Sequence, residues 1–328
     1  MTTEAAAVQL ASHTRTISRE LAHRCAVSEV FVTSLDAVAE HTFVAGAQLP
    51  RMHAYYGDHA GSLAVRHDPL VVMEAARQAA IALTHKFYEV PPEMAFVVRT
   101  FNGTGSDTAA WEVRTAPADL VMHVRVPQHH QRGGVLQGVD MVLEIESDGV
   151  PMLTVDGSFS WVTARQWSAL RSGFRESLGL GPFCGALALT ERAAPAAVGR
   201  ENWRNVVIGP PVRDGATARA RLVPDLGHPF LFDHQLDHVP GSLLIEACRQ
   251  TALSMLVRDL PQLACVASAF ERFVELDLPV ECTAEITDQG AGTTVIHCEI
   301  YQADAVAARI DLEFAEDALI SEADSEGA

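Results

Sequence analysis

The sequence predicts an α+β protein made of two similar halves, each with one long helix wrapped by a curved antiparallel sheet. The pentapeptides EAARQ (74–78) and EACRQ (246–250) lie 172 residues apart, each inside an apolar segment typical of a buried helix. The segments around them also follow one another in the same order. A chain of 328 residues suits two domains of about 150 residues better than a single core.

The beginnings of the two halves correspond. Each starts with a β-rich segment, at 27–34 and 204–209, and continues with an alternating strand that ends near Pro50 or Pro224. A loop rich in histidine and aspartate then leads to the helix. This matching order indicates an internal repeat of one supersecondary unit.

One long helix is predicted in each half, over about 69–86 and 241–258. Proline at 69 and Pro-Gly at 240–241 are typical of helix starts. Both helices are apolar on nearly all sides, so each must be covered nearly all round. The runs that follow, including the short WEVRT at 111–115, alternate apolar and polar residues as half-buried antiparallel strands do. A sheet wrapped around a central helix satisfies both patterns, and this predicts a tandem hotdog fold.

The composition is that of an ordinary globular protein, with 48% hydrophobic and 20% charged residues. The segments predict five regions in chain order, namely a flexible N-terminus (1–20), a first hotdog domain (21–164), a helix-containing linker (165–200), a second hotdog domain (201–316) and a flexible acidic tail (317–328).

Charge and cysteine content limit the classes of function that the protein can have. A net charge of −18 disfavours nucleic-acid binding, because phosphates are repelled. No run is long enough for a membrane span, and the first 20 residues do not have the pattern of a signal peptide. The six cysteines form no C-x-x-C pair and no metal-ligand spacing, which indicates a reducing cytoplasm and no metal site.

Three segments resemble the A-factor biosynthesis (AfsA-type) hotdog family, the γ-butyrolactone synthases: FDHQLDHVPGSLLIEACRQTA (232–252), HDPLVVMEAARQAA (67–80) and HRCAVSEVFVT (23–33). The resemblance implies an acyltransferase that moves a β-ketoacyl group from acyl carrier protein to the hydroxyl of dihydroxyacetone phosphate. It implies no cofactor, and a role in making a butyrolactone, butenolide or furan signal. The partners implied are the carrier protein and the phosphorylated alcohol.

Glu246, Arg249 and Gln250 are the main candidates for chemistry, because their spacing places them on one side of the helix. Burying a carboxylate and a guanidinium costs several kcal/mol per ion, so a pair kept in two apolar helices suggests a task. We expect Glu246, its pKa raised by partial burial, to be the general base. Arg249 would orient it or bind the substrate phosphate, and Gln250 would contact substrate.

The start of the second helix offers a site for the thioester oxygen. The backbone N–H groups near Gly241 and Ser242 lack helical acceptors, and a helix N-terminus carries positive potential. This predicts that both residues bind substrate.

Three residues of the preceding loop, His234, Asp237 and His238, are predicted to orient substrate or to exchange protons; the alternative is an ordinary hydrogen-bonded loop. Hotdog dehydratases carry a catalytic histidine upstream of the same Pro-Gly. Here Phe232 lies close to that position, which argues against simple dehydration.

Glu74 and Arg77 are the counterparts in the first half, Glu74 as a catalytic and Arg77 as a substrate-binding candidate. They are expected to complete the same pocket, form a second one, or be a structural relic. Only the second helix follows a Pro-Gly, which favours the second pair as the main site. The expected assembly is a monomeric pseudo-dimer or a homodimer.

Two alternatives keep the same fold. One is a hotdog thioesterase or dehydratase acting on acyl carrier protein, and the other is a non-catalytic acyl-binding regulatory protein. An acidic carrier protein would need a basic docking patch on this acidic chain. The candidates for it are Arg125, Arg132, Arg165, Arg171 and Arg175.

Overall fold

The computed structural model describes residues 11–61, 65–105, 108–256, 261–290 and 292–315. Residues 1–10 of the expected flexible N-terminus and the whole expected tail (317–328) lie outside the described residues. The rest of the N-terminal segment contacts the first domain, since the Ile17 N–H donates to the Val32 carbonyl at 3.0 Å.

The described residues of the first half form six strands and one α-helix. In chain order these are β1 (Val32–Ala39), β2 (Thr42–Leu49), α1 (Pro69–Phe87), β3 (Ala95–Gly105), β4 (Ala118–Arg132), β5 (Val135–Ser147) and β6 (Val150–Val162). A second helix, α2 (Ala164–Ser177), follows in the expected linker.

The second half repeats the pattern within the described residues. Its elements are β7 (Val212–Asp214), β8 (Thr217–Arg221), α3 (Gly241–Leu253), β9 (Gln262–Phe270), β10 (Glu281–Gly290), β11 (Thr293–Gln302) and β12 (Ala305–Ala315).

The sheet confirms the tandem hotdog fold. The first half has the strand order β1-β2-β4-β5-β6-β3, and the second half has the equivalent order β7-β8-β10-β11-β12-β9. The antiparallel pair β3 and β9 joins them into one sheet, with Thr100 opposite Ala269 and Gly103 opposite Val266. The pair β3–β9 is therefore the seam between the two halves, and each half packs its own central helix on this shared sheet.

Helix α1 forms as its sequence predicts. Pro69 occupies its first turn, and the Asp68 side chain caps it by accepting from the Leu70 N–H at 2.9 Å. Nearly every side chain of α1 is buried, with Arg77 and Lys86 among the exceptions. Burial of that apolar surface, at roughly 25 cal/mol per Å², is what holds a helix of this composition against the sheet.

Helix α3 is shorter than expected, since it ends at Leu253 rather than near 258. The Ser254 hydroxyl donates to the Thr251 carbonyl at 2.6 Å, and such side-chain bonds compete with helical ones. No helix among the described residues is long and apolar enough to cross a membrane.

Two segments expected to be β-rich are mostly irregular. WEVRT begins with the last residue of a 3₁₀ turn, Ala109–Trp111, and among the described residues Glu112 forms its one bridge, to Arg66 in the sequence before α1. The segment 204–209 likewise contains one bridge, from Ile208 to Leu222. In both cases burial explains the apolar residues, since Trp111 is 1% exposed and Ile208 is fully buried.

Candidate active site

Each central helix carries the same four-residue cluster. The glutamate of each pentapeptide binds its own arginine and glutamine, and a second arginine comes from a segment outside the helix, Arg24 in the first half and Arg200 in the second. The glutamine oxygens accept backbone N–H groups at equivalent places, Gln78 from Phe31 and Gln250 from Val207, each at 2.9 Å. The pentapeptides are therefore one structural unit present twice.

In the first cluster, the Glu74 carboxylate accepts five side-chain contacts, one of them from Arg24 Nε to Oε1 at 3.1 Å. Arg77 donates through Nε to Oε2 and through Nη2 to Oε1, both at 2.8 Å. Arg24 Nη2 lies 2.6 Å from Oε1, and Gln78 Nε2 donates to Oε1 at 2.7 Å. The Arg77 side chain stays 32% exposed, and among the described residues its Nη1 has no partner. One edge of that guanidinium is thus available to a ligand.

The second cluster is closed. Arg200 Nη2 lies 2.7 Å from Glu246 Oε1, and Arg249 Nε donates to Glu246 Oε2 at 2.8 Å. The Arg249 Nη1 group donates to both oxygens of Asp68 at 2.7 and 2.8 Å, and His59 Nε2 lies 3.0 Å from Asp68 Oδ2. The Arg249 side chain is only 5% exposed. This cluster is a buried ion network without room for a substrate.

The difference between the clusters arises at the helix starts. Asp68 caps α1 and also binds Arg249 of the other helix. The residue before α3 is Pro240, which has no side-chain acceptor. Among the described residues, Arg249 therefore binds a carboxylate of the other helix start, whereas Arg77 binds only that of Glu74 on its own helix.

A cavity of about 1270 Å³ lies between the halves and contains the open cluster. Glu74, Arg77 and Arg24 line it from the first half. Its other walls are largely apolar, and they include Met141, Leu143, Val155, Phe159, Phe232 and Phe270. Glu246, Arg249 and Gln250 are not part of this lining, and Arg249 borders only a separate space of about 20 Å³.

The N-terminus of α3 opens into the same cavity. Pro240 caps it without a side-chain hydrogen bond, and within the described ranges neither the Gly241 nor the Ser242 N–H has an acceptor. A Cβ on Gly241 would lie 3.1 Å from the Phe270 ring, so glycine keeps this surface clear. The cavity thus combines α1's Glu–Arg pair with α3's free N–H groups.

The loop before α3 also contributes to the cavity. His234 and His238 each place Nδ1 against the aspartate that precedes them, at 2.6 and 2.8 Å. Asp233 also accepts from the Cys25 N–H at 2.9 Å, and Asp237 accepts from Arg171 Nε at 3.0 Å. Both histidines are therefore held by carboxylates, as a base or an orienting group would be.

The structure divides the residues selected from the sequence into two groups. One group lines the large cavity, and its members are Glu74, Arg77, His234, Asp237, His238, Gly241 and Ser242. The other group, Glu246, Arg249 and Gln250, lies in the closed cluster. The large cavity thus brings together the start of the second helix and the pentapeptide of the first, and its lining does not include the second pair, which the sequence favoured as the main site.

The prediction that partial burial raises the pKa of Glu246 is wrong. Burial by itself raises the pKa of this carboxyl, but Arg200 and Arg249 together hold it below its usual value. Glu74 follows the same rule: burial acts upward, and Arg24 and Arg77 lower its pKa to about 2. Both carboxylates are therefore held in the charged form, and both bind guanidinium groups.

Sequence reasoning did not select Arg24, Arg200 or Asp68. The signal for the two arginines was present, because they lie 176 residues apart, close to the offset of the pentapeptides. Arg24 also lies inside HRCAVSEVFVT, one of the segments that carry the family resemblance. Asp68 likewise lies inside HDPLVVMEAARQAA, but its partner Arg249 is 181 residues away, and no spacing along the chain indicates that pairing.

Two expected docking arginines are unavailable. Arg171 donates to both oxygens of Glu275, at 2.6 and 2.9 Å, and Arg175 binds Glu275 and Asp277. Both side chains are buried, so they join α2 to the second half instead of forming an exposed patch. The other three candidates, Arg125, Arg132 and Arg165, are exposed.

The chain matches the model of the A-factor biosynthesis hotdog domain over residues 5–163 and 186–315. A relative from Streptomyces virginiae, named 2-oxo-3-(phosphooxy)propyl 3-oxoalkanoate synthase, is 32% identical, covering 88% of this chain and 97% of the relative. A relative of the same name from Streptomyces coelicolor is 28% identical over 86% of each chain. A solved oleoyl thioesterase from Lactobacillus plantarum shares the fold, with a TM-score of 0.52 and 11% identity over 84% of this chain and 96% of that one.

Proposed function

Because the chain belongs to the A-factor biosynthesis hotdog family, we propose that it is an acyltransferase that joins a β-ketoacyl group to the hydroxyl of dihydroxyacetone phosphate. The acyl group arrives as a thioester on acyl carrier protein. The product is the ester for which the relatives are named, 2-oxo-3-(phosphooxy)propyl 3-oxoalkanoate. This ester is a precursor of butyrolactone-type signals.

One observation carries the proposal: the free guanidinium edge of Arg77 and the free N–H groups of α3 border the same large, mostly apolar cavity. A cationic group suits a phosphate, N–H donors suit a thioester oxygen, and an apolar wall suits an acyl chain. The phosphate belongs to dihydroxyacetone phosphate, and the thioester oxygen and the acyl chain belong to the acylated carrier protein.

Arg77 is the proposed phosphate-binding residue. Glu74 holds two of its nitrogens, which fixes the plane of the guanidinium and leaves Nη1 for a phosphate oxygen. Arg24 adds a second positive charge beside the same carboxylate and is itself fixed by the Phe230 carbonyl at 3.2 Å. Glu74 thus acts by positioning the arginines, since both of its oxygens already accept hydrogen bonds from Arg77 and Gln78.

Acyl transfer then proceeds by direct attack. The hydroxyl oxygen of dihydroxyacetone phosphate bonds to the thioester carbon, and the carbonyl oxygen becomes an oxyanion. The N–H groups of Gly241 and Ser242 donate to that oxyanion, aided by the positive potential at the start of α3. The oxyanion then re-forms the carbonyl as the carbon–sulfur bond breaks, and the proton lost by the hydroxyl ends on the sulfur, which leaves as the carrier-protein thiol.

Glu246, Arg249 and Arg200 have a structural role in this proposal. They form a buried network that ties α3 to Asp68, ahead of α1, and so fixes the two central helices against each other. One working site per chain follows. The two halves supply it together, so a monomeric pseudo-dimer is sufficient, and the free buried thiols are compatible with the cytoplasm.

The test uses the purified chain with a panel of β-ketoacyl thioesters on acyl carrier protein, with and without dihydroxyacetone phosphate. Mass spectrometry should find the phosphorylated ester only when both substrates are present. Arg77→Ala should raise the KM for dihydroxyacetone phosphate by tenfold or more, because charged hydrogen bonds contribute about 1.5–3 kcal/mol. Arg309→Ala, which breaks an exposed ion pair outside this lining, is the matched control and should leave the KM unchanged.

Two results would contradict the proposal and favour one of the alternative functions. Free β-keto acid or an enoyl product formed without any alcohol would indicate a thioesterase or a dehydratase. Tight binding of the acyl thioester with no turnover against any acceptor would indicate an acyl-binding regulatory protein.

A further inference from the structure

A pair of histidines contacts each other at the cavity. His23 lines the cavity wall, and its Nε2 lies 2.8 Å from Nε2 of His85, a residue in the last turn of α1. His23 directly precedes Arg24, the residue that binds Glu74. The chain therefore places this imidazole next to the open cluster, and the chemistry described so far does not use it.

The hydrogen bonds determine which nitrogen of His23 is free. His85 Nδ1 lies 2.6 Å from the Val90 carbonyl, which can only accept, so His85 Nδ1 carries a proton. The Nε2 of a neutral His85 is then an acceptor, and the hydrogen of the 2.8 Å contact must come from His23 Nε2. A neutral His23 therefore has an unprotonated Nδ1, which has no partner among the described residues.

We propose that His23 is the base of the acyl transfer and that His85 is a positioning residue that holds its tautomer, an inference that rests on the proposed function. His23 Nδ1 takes the proton from the hydroxyl of dihydroxyacetone phosphate while the oxygen bonds to the thioester carbon. The same proton then passes to the departing sulfur as the carbon–sulfur bond breaks. His23 is neutral again at the end, so no further reactant is needed.

The surroundings of His23 keep it in the accepting form. Burial is the main cause that lowers its pKa to about 4, and His85, Arg77 and His234 add to the effect. His85 and Arg77 face it from α1, and His234 faces it from the loop before α3. When a phosphate dianion binds Arg77, it offsets one of these charges and raises the pKa of His23. Binding of the acceptor substrate thus makes the base stronger.

The backbone supports a special role for this residue. His23 has a φ of 51°, in the left-handed region that residues other than glycine seldom adopt. Its ring also packs edge-on against Phe96, with centroids 5.3 Å apart. The turn and Phe96 together fix where the imidazole lies.

The activity test compares His23→Gln and His23→Ala with the unchanged chain. We expect kcat to fall by about 10²-fold or more, the usual contribution of a general base, while the affinity for acyl thioester stays within twofold. Added imidazole should restore part of the turnover of His23→Ala. His129→Gln is the matched control, because His129 belongs to another histidine contact, with His41, outside this lining. It should keep wild-type turnover.

A second measurement does not depend on activity. In ¹⁵N-labelled protein at pH 7, His23 should show an unprotonated Nδ1, and His85→Gln should remove this preference. Inorganic phosphate should raise the pKa of His23 in the unchanged chain and leave it unchanged in Arg77→Ala.

The outcomes separate the two proposals. A protonated Nδ1 in His23, or wild-type kcat in both His23 variants, overturns the role of His23 even if the ester forms. Absence of ester from the unchanged chain overturns the proposed function instead, and the ¹⁵N result then decides the tautomer on its own.

Discussion

Asp68 of the first half binds Arg249 of the second, with Arg249 Nη1 2.7 Å from Oδ1 and 2.8 Å from Oδ2. The same carboxylate caps α1. Pro240 occupies the matching place before α3, and within the part of the chain that the structure describes Arg77 has no such partner. This single difference leaves one Glu–Arg pair at a large cavity and seals the other.

Loss of this contact should cost stability. In Asp68→Ala, the buried Arg249 keeps Glu246 but loses its second carboxylate, and α1 loses its cap. Breaking a buried pair in this way costs about 3–5 kcal/mol in the free energy of unfolding. Urea unfolding followed by circular dichroism measures it. Asp119→Ala, which changes a half-exposed carboxylate, should cost less than about 1 kcal/mol. Equal midpoints for the two variants would contradict the role of Asp68.

Stability should fall on the acid side in two steps. The pKa of His23 is lowered from 6.5 to about 4, so the unfolded chain binds its proton first and stability declines as pH falls below 6.5. The pKa of Glu74 is lowered from 4.5 to about 2, so its contribution is complete above pH 4.5 and is lost as pH falls toward 2. The ionised Glu74 thus contributes about 3 kcal/mol to the free energy of unfolding above pH 4.5.

Glu74→Gln tests the second step. The variant should be less stable than the unchanged chain at pH 7, and its free energy of unfolding should vary less between pH 4.5 and 2. The slope between pH 6.5 and 4.5 should stay, because it belongs to histidines. An identical slope in both proteins below pH 4.5 would show that Glu74 titrates normally.

The apolar part of the cavity should set the acyl chain length. Leu143 on β5 is buried and lines the cavity, so Leu143→Phe fills space that the chain tail occupies. We expect a shift toward shorter acyl groups in competition assays read by mass spectrometry, with a stability cost of about 1–3 kcal/mol. Leu312→Phe overpacks the second half away from the cavity. It should cost similar stability without changing the chain-length profile, and a shift in both variants would argue against a specific wall.

Glu275 should hold α2 over the cavity. It is fully buried and binds Arg171 and Arg175 of α2, while Trp167 of the same helix contacts the His238 ring at 5.4 Å. In Glu275→Ala, hydrogen exchange in α2 should rise and turnover should fall, with about 3–5 kcal/mol lost. Glu271→Ala, in an exposed pair, is the control. Unchanged exchange in α2 would show that packing alone holds the helix.

Much of the fold could be predicted because its signals are local. Pro69 and Gly241 mark the helix starts, alternation marks the strands, and the repeated pentapeptide marks the two copies. The misses also have local causes. Helix α3 ends at Leu253, where the Ser254 hydroxyl donates a hydrogen bond to the Thr251 carbonyl. The 3₁₀ turn at Ala109–Trp111 contains a buried tryptophan, a residue type that is common in strands.

The sequence by itself determined that two Glu–Arg pairs would lie at equivalent places in two apolar helices, since spacing and periodicity are short-range signals. Only the tertiary structure decided which pair is open. That choice depends on Asp68 reaching Arg249 across 181 residues and on the start of α3 facing Glu74. The energy of an ion pair depends on the distance between the charges in space. The spacing of residues within one helix therefore cannot predict a pair that the fold brings together from distant parts of the chain.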